Sequence, residues 1–218
     1  MDFRFDIIAE YFPFFLKGVV LTIGISLAGI LIGSILGLLI GMAKVQFNKW
    51  LRLPFVWYIN FFRGTPLLVQ MFIIHFGVMP LFMKPVNPIA SVMVALSLNS
   101  AAYIAEIFRA GIQSIDRGQM EAARSLGMTN GQAMKQVILP QAFKRMLPPL
   151  GNEFIVLLKE SSLGAVIAAP ELLYWGKAAV GQYMRVWEPY LMVALIYLLL
   201  TLSLTYLLQY LERRFAAE

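Results

Sequence analysis

Residues 18–43 form an apolar run without a charged side chain, and this run constrains the fold more than any other feature of the sequence. A helix needs about 20 apolar residues to cross the hydrocarbon core of a bilayer, where its backbone polar groups find partners only within the helix. The run is therefore predicted to be a transmembrane helix. The composition agrees, because 60% of the residues are hydrophobic and 14% are charged, whereas about a quarter are charged in soluble domains.

Four more apolar segments predict four further spans, at residues 54–79, 88–108, 150–170 and 189–211. The second is interrupted by the stretch FRGTP at 62–66, and the fourth is the most polar of the set. We therefore expect an all-α integral membrane protein in which residues 1–218 form a single domain with five transmembrane helices.

Lys and Arg residues are distributed unevenly around these spans. Eleven lie near the membrane side that follows spans one, three and five, and five lie on the opposite side. Because cytoplasmic loops of membrane proteins carry an excess of Lys and Arg, the N-terminus is predicted outside and the C-terminus inside. The formal net charge of +6 is thus interpreted as topology rather than as nucleic-acid binding.

The residue types available exclude several kinds of site. The sequence contains no cysteine and a single histidine, His75, so disulfides, thiolate metal sites and histidine-based metal sites are not expected. No metal site is predicted, and His75 is interpreted as an interior histidine with a hydrogen-bond partner.

Two simpler patterns concern packing and loops. In span one a glycine recurs every fourth residue, which predicts close helix packing either within this chain or across a dimer; these glycines are Gly29, Gly33, Gly37 and Gly41. The segments 80–88 and 171–188 are predicted to be outer loops.

Residues 119–140, between spans three and four, form a polar segment that the predicted topology places in the cytoplasm. Its sequence predicts two short helices joined by a turn, with Gly127 in a left-handed conformation and Thr129 and Gln132 forming a capping box. Pro140 marks where the second helix has to stop or kink. A solvated linker helix and a DNA-binding helix-turn-helix were alternative interpretations, but flanking membrane spans argue against the latter.

Residues 121–140 also match a known motif: E-A-A, three residues, G, nine residues, then I-x-L-P. The matching residues are Glu121, Ala122, Ala123, Gly127, Leu139 and Pro140, with Val137 where Ile is usual. Together with FRGTPLLVQ (62–70), AAYIAEIFRAGIQSIDRGQ (101–119) and LLKESSL (157–163), this motif makes the chain resemble the permease subunits of bacterial ABC importers for polar amino acids, of the histidine, glutamine, arginine and opine type. The resemblance covers roughly residues 12 to 211 and is most pronounced for permeases of arginine or other basic amino acids.

The resemblance implies that the segment 119–140 is a coupling helix that docks on a separate ATPase. Its implied partners are two ATPase copies, a second permease copy or close relative, an extracytoplasmic amino-acid-binding protein and membrane lipid, with no nucleic acid. The sequence lacks the G-x-x-x-x-G-K-[ST] nucleotide-binding loop, so this chain is not expected to be an enzyme or to hold a cofactor, and ATP and magnesium belong on the ATPase. The implied location is a bacterial cell membrane.

Polar groups within the spans are functional candidates because they are costly in a membrane. The predicted substrate-binding residues are Thr65, Asn99, Tyr103, Glu153, Lys159, Glu160, Ser161 and Ser162. Lys159 and the two serines could bind a carboxylate, and Glu153 or Glu160 could bind an ammonium group. The alternative is that these groups only pair with one another.

The charge balance of the spans bears on the choice of substrate. Three acids, Glu106, Glu153 and Glu160, outnumber the two bases Lys159 and Arg63, which favours a basic amino acid such as arginine. Two other functions stay open at this stage: an ion-driven transporter or channel that uses these charges, and a membrane-embedded enzyme that uses Ser161 and Ser162 beside Lys159.

Overall fold

The computed structural model describes residues 2–46 and 48–216, and all regular structure within these ranges is helical. The described residues form nine α-helices: α1 Phe5–Gln46, α2 Leu53–Gly64, α3 Leu67–Phe72, α4 Pro88–Gln113, α5 Arg117–Ser125, α6 Asn130–Ala133, α7 Leu139–Glu160, α8 Leu172–Tyr183 and α9 Trp187–Ala216. Wider π-helical turns follow α3 at Ile73–Val78 and α6 at Met134–Ile138, and tighter 3₁₀ turns cover Met79–Leu81 and Ser161–Ile167.

Three of the described helical stretches are long and apolar enough to cross a membrane: Phe5–Lys44, Pro88–Gln113 and Trp187–Arg214. They correspond to predicted spans one, three and five. The helical stretches Leu53–Gly64 and Leu67–Leu81 together pass the same test but meet at a 110° bend, at the break predicted from FRGTP. Predicted span four falls on the end of α7 and the following 3₁₀ turns, which do not count as a span by length and composition.

Helix α1 begins at Phe5, well before residue 18, where the first span was predicted to start. The predicted span was the uncharged run that follows Lys17, but Asp6 and Lys17 do not break a helix, and the helix also contains Pro13. The additional turns are anchored because Tyr11 and Phe15 are buried against α8 and α9.

Residues 171–188 were predicted to be an outer loop, but they contain α8 and the start of α9. Helix α8 forms because the buried Glu171 caps its N-terminus: its carboxylate accepts hydrogen bonds from the N–H groups of Leu173 and Tyr174 at 2.9 and 2.8 Å. Tyr197 Oη of α9 donates to the same carboxylate at 2.8 Å. This buried carboxylate therefore ties α8 to α9.

The glycine repeat of α1 packs against α4 within the same chain. A Cβ atom on Gly37 would lie 2.8 Å from the carbonyl oxygen of Ala101 and 2.8 Å from Ile104 Cβ, and one on Gly33 would lie 2.7 Å from Ser100 Oγ. Distances of this kind leave no space for a side chain, so the glycines allow the two helices to touch. Helix α4 thereby becomes the centre of the fold, with α1, α2 and α7 packed around it.

Candidate functional site

The segment 117–140 has the local structure that its sequence predicts. Asp116 caps α5 by accepting a hydrogen bond from the N–H of Gly118 at 2.7 Å. Helix α5 ends at Ser125. In the turn that follows, Gly127 has a φ of 84°, in the left-handed region, and the N–H of Met128 donates to the carbonyl oxygen of Ala123 at 3.2 Å. These contacts satisfy carbonyl groups at the helix end and fix the turn.

Thr129 and Gln132 form the predicted capping box at the start of α6. The N–H of Thr129 donates to Gln132 Oε1 at 2.8 Å, and the N–H of Gln132 donates to Thr129 Oγ1 at 3.3 Å. The helical structure does not stop at Pro140, although a stop or a kink was predicted there. Pro140 instead lies in the first turn of α7, directly after the π-helical turns, and those wider turns lead into a residue that cannot donate a backbone hydrogen bond.

This segment presents one face to the protein and one to solvent. Ala123, Ala133 and Ile138 are buried, and Ile138 packs with Ile115 of the preceding turn. Of the predicted coupling residues, Ala123 is buried, Leu139 is half-buried, and the others are exposed: Glu121, Ala122, Gly127 and Pro140. Leu126, between them, is 81% exposed. The segment is thus a capped, rigid element with an apolar side chain on its free surface.

The break between α2 and α3 is held by amide side chains. Gln70 Nε2 donates to the carbonyl oxygen of Phe62 at 2.9 Å and to both the carbonyl oxygen and Oγ1 of Thr65, at 3.0 and 2.9 Å. Asn99 Nδ2 of α4 donates to Gln70 Oε1 at 2.9 Å. Two predicted substrate residues, Thr65 and Asn99, therefore meet here through Gln70 and satisfy backbone groups that the break leaves unpaired.

A second cluster lies one to two turns further along α4. The Arg63 guanidinium lies 5.4 Å from the centre of the Tyr103 ring, and Arg63 Nη1 lies 3.9 Å from Glu106 Oε2. Glu106 also pairs with Lys44 of α1 and with Arg109, whose Nε and Nη2 both lie 2.8 Å from Oε2. Sequence reasoning used Lys44 and Arg109 only to assign orientation, so it missed that they neutralise Glu106.

The remaining predicted substrate residues lie along the end of α7. Glu153 is buried and Glu160, seven positions later, is half-buried. Lys159 is exposed, and within the described residues its ammonium group has no hydrogen bond or ion pair. Ser161 and Ser162 donate their hydroxyl hydrogens to the carbonyl oxygens of Leu158 and Lys159, at 2.8 and 2.6 Å.

The structure thus distributes the predicted substrate residues over the break, the Arg63 cluster and the end of α7. Gln70 was not predicted, although an amide inside the apolar run after FRGTP was a usable sequence feature. His75 Nδ1 lies 2.8 Å from Ser91 Oγ, which agrees with an interior histidine. Within the described residues no group of three or more metal-ligating side chains is found.

Comparison with known proteins gives consistent matches. The family described as binding-protein-dependent transport system inner membrane component matches residues 29–217. The arginine transport system permease protein ArtQ of Bacillus subtilis (strain 168) is 40% identical, and the aligned region covers 98% of each chain. The glutamine transport system permease protein GlnP of Escherichia coli (strain K12) is 38% identical with the same coverage of both chains.

The solved structures that resemble this chain are also chains of ABC transporters. A chain of an amino acid ABC transporter crystallised with histidines superposes with a TM-score of 0.93 at 43% identity, covering 98% of this chain and 100% of the other. A chain of the methionine ABC transporter MetNI in an inward-facing conformation gives a TM-score of 0.79 at 20% identity, with coverage of 93% and 96%. The second likeness concerns the fold alone.

Proposed function

This chain belongs to the family of binding-protein-dependent transport system inner membrane components, and from this premise we propose that it is the permease subunit of an ATP-driven importer that takes up arginine or another basic or polar amino acid. It is a multi-pass protein of a bacterial cell membrane and a transport component rather than an enzyme. The ion-driven transporter and the membrane enzyme, which the sequence left open, are not favoured by this membership.

The proposed topology has five crossings, with the N-terminus outside and the C-terminus inside, all within one domain. Helices α1, α4 and α9 supply three crossings. The bent pair α2–α3 and the C-terminal half of α7 with its 3₁₀ turns supply the other two. A more polar fourth crossing is expected for a segment that lines a substrate path rather than facing lipid.

The proposed partners follow from the free face of segment 117–140. In this proposal two such permease chains, identical or closely related, each present this segment to one ATPase subunit, and an extracytoplasmic binding protein delivers the amino acid. ATP and magnesium act on the ATPase. Closure of the ATPases moves the segments, and the spans then change the side to which the substrate path opens.

The proposed substrate contacts lie at the end of α7. Lys159 is exposed and unpaired among the described residues, so its ammonium group is available to a carboxylate. Glu153 and Glu160 have no basic partner within hydrogen-bond distance in the described chain, so their carboxylates are available to an ammonium or guanidinium group. Thr65 and Asn99 contribute indirectly by fixing the break, and Tyr103 contributes through its ring and hydroxyl.

The single observation that carries this proposal is the capped, exposed segment 117–140 within a chain that matches permeases along almost its whole length. The test is uptake of radiolabelled arginine and glutamine into proteoliposomes that contain this chain, its ATPase and the binding protein. Uptake should require ATP. Glu160→Gln should reduce arginine uptake more than glutamine uptake, whereas Glu212→Gln on α9 should change neither; uptake without ATP would contradict the proposal.

A further inference from the structure

A cavity of about 520 Å³ lies beside α4, at the end that leads into segment 117–140. Its walls come from α2, α4 and α7 and the turn that follows α4. The polar residues of its lining are Arg63, Tyr103, Glu106, Arg109, Ser114 and Arg145. Three arginines and one glutamate therefore share one small space.

The single carboxylate of this cavity is already neutralised. Glu106 pairs with Lys44 through Oε1, and its Oε2 lies 2.8 Å from both Nε and Nη2 of Arg109. Its side chain is only 14% exposed. Lys44 and Arg109 lie closer to Glu106 than Arg63 does. One carboxylate therefore cannot balance the charges of all the bases around it, and the cavity keeps an excess of positive charge.

Arg63 is held in place without using its hydrogen-bond donors. Its side chain is 44% exposed, and its closest carboxylate oxygen, on Glu106, is 3.9 Å from Nη1. Its guanidinium lies over the Tyr103 ring, a contact that orients the cation and leaves the N–H groups free. Within the described chain the Arg63 guanidinium donates no hydrogen bond.

Arg145 adds a second incompletely used guanidinium. Its Nη1 donates to the carbonyl oxygen of Ser114, which fixes the side chain but leaves its positive charge uncompensated by any acid among the described residues. A guanidinium with free donors is suited to a carboxylate or phosphate group, which it can bind through two parallel hydrogen bonds. The cavity volume is within the range of roughly 300–1,000 Å³ that small-molecule sites occupy.

We propose that this cavity is a carboxylate-binding site at which the imported amino acid pauses before it enters the cytoplasm. Its α-carboxylate pairs with Arg63, above the Tyr103 ring, and Arg145 adds a second positive charge. This inference rests on the proposed function and on the proposed topology, in which segment 117–140 lies on the cytoplasmic side. An anionic lipid headgroup carries a phosphate of similar chemistry, and the experiment below separates the two sources.

The experiment uses the absence of native cysteine from this chain. An Ala110→Cys variant places one thiol in the cavity wall. The complex of this variant with its ATPase, without ATP, is placed in phosphatidylcholine nanodiscs and labelled with anionic or cationic thiosulfonate reagents, and modification of this chain is followed on a gel. The anionic reagent should react faster.

Arg63→Gln, added to Ala110→Cys, should lower the ratio of anionic to cationic labelling rates by about threefold, as expected for the loss of one nearby charge in a wet site. Arg63→Lys should preserve the ratio, and Arg213→Gln on α9 is the matched control that should leave it unchanged. An Ala110→Cys thiol without preference for the anionic reagent would overturn the proposal.

Protection from labelling identifies the ligand. L-arginine and L-glutamine should slow the reaction of the thiol, argininamide should not, and Arg63→Gln should abolish the protection. Equal protection by argininamide, or none by either amino acid, would show that no carboxylate binds here. Protection that appears only in nanodiscs containing phosphatidylglycerol would assign the cavity to a lipid headgroup and would likewise overturn the proposal.

Uptake into proteoliposomes by the same complex distinguishes this inference from the proposed function. ATP-driven uptake together with an unprotected thiol would refute the cavity site and leave the importer intact. Protection together with no ATP-driven uptake would refute the importer and leave the carboxylate site standing.

Discussion

At the residue scale, the amide of Gln70 is a buried polar group with several hydrogen bonds, and this residue is 2% exposed. Its Nε2 donates to oxygens of Phe62, in α2, and of Thr65, in the α2–α3 break, and its Oε1 accepts from Asn99. Removing it takes this partner away from the Thr65 carbonyl oxygen and leaves Asn99 Nδ2 with only its longer hydrogen bond to the carbonyl oxygen of Phe62, at 3.3 Å. A buried polar group without a partner typically costs about 1–3 kcal/mol.

Gln70→Leu should therefore lower the thermal unfolding temperature of the detergent-solubilised protein by several degrees. Gln209→Leu on α9 is the matched control, since the Gln209 side chain is exposed and makes no hydrogen bond within the described chain. The unfolding temperature of this variant should stay at the wild-type value. Equal unfolding temperatures for the two variants would mean that the amide does not stabilise the break.

Gly127 and Gly131 provide a second test at this scale. A Cβ atom would meet nothing within 4 Å at either position, but only Gly127 has a positive φ. Gly127→Ala should therefore strain the turn by about 1–2 kcal/mol, whereas Gly131→Ala in α6 should be neutral or slightly stabilising. The readout is the stimulation of ATPase activity in the reconstituted complex by loaded binding protein. Reduced stimulation in Gly131→Ala but not in Gly127→Ala would contradict the role of the turn.

The residues that sequence reasoning placed correctly are those whose partners are close in the chain. Gly127, Thr129 and Gln132 depend on neighbours within a few positions, so the turn and the capping box were predictable. Asn99 and Gln70 are 29 positions apart, and Lys44 and Glu106 are 62 apart. Such pairs depend on how α1, α2 and α4 pack, which helical periodicity does not specify.

At the scale of elements, the contact between α1 and α4 depends on the absence of side chains. Gly37→Val should push against the backbone and Ile104 of α4, and overpacking of this kind typically costs about 1–3 kcal/mol. Gly24→Val on the same helix is the matched control because Gly24 faces open space.

We expect Gly37→Val to reduce both the yield and the unfolding temperature of the folded protein, and Gly24→Val to behave like wild type. Indistinguishable variants would show that α1 and α4 do not approach as closely as the glycine contacts require. A loss of stability in Gly24→Val alone would instead mean that α1 packs against its neighbours through the face that carries Gly24, not the face that carries Gly37.

The elements themselves were predictable to different degrees. The apolar runs placed the cores of α1, α4 and α9, and FRGTP placed the break before α3. The early start of α1 and the existence of α8 were missed because both depend on long-range packing of Tyr11, Phe15 and Glu171. Charge and composition alone placed the start of the first span at residue 18 and predicted a loop at residues 171–188.

At the scale of the whole molecule, the structure changes the charge balance on which the substrate hypothesis depends. Glu106 is neutralised by Lys44 and Arg109, so it no longer counts toward a surplus of acid. The surplus of acid is instead confined to the end of α7, where the sequence has two acids, Glu153 and Glu160, and one base, Lys159. A preference for basic amino acids therefore depends on these two carboxylates.

The central claim is that segment 117–140 couples this chain to a separate ATPase. The most direct measurement is purification of the chain from its native membranes in mild detergent and in lipid nanodiscs, with quantification of the nucleotide-binding ATPase that accompanies it. The matched variants are Glu121→Lys, at an exposed position of the segment, and Glu212→Lys on α9.

We predict that the ATPase co-purifies with the wild-type chain and with Glu212→Lys, and that at least tenfold less, on the order of 1.4 kcal/mol of binding free energy, is recovered with Glu121→Lys. If the wild-type chain is isolated without an ATPase both in detergent and in lipid, the segment has no such partner and the importer assignment is contradicted.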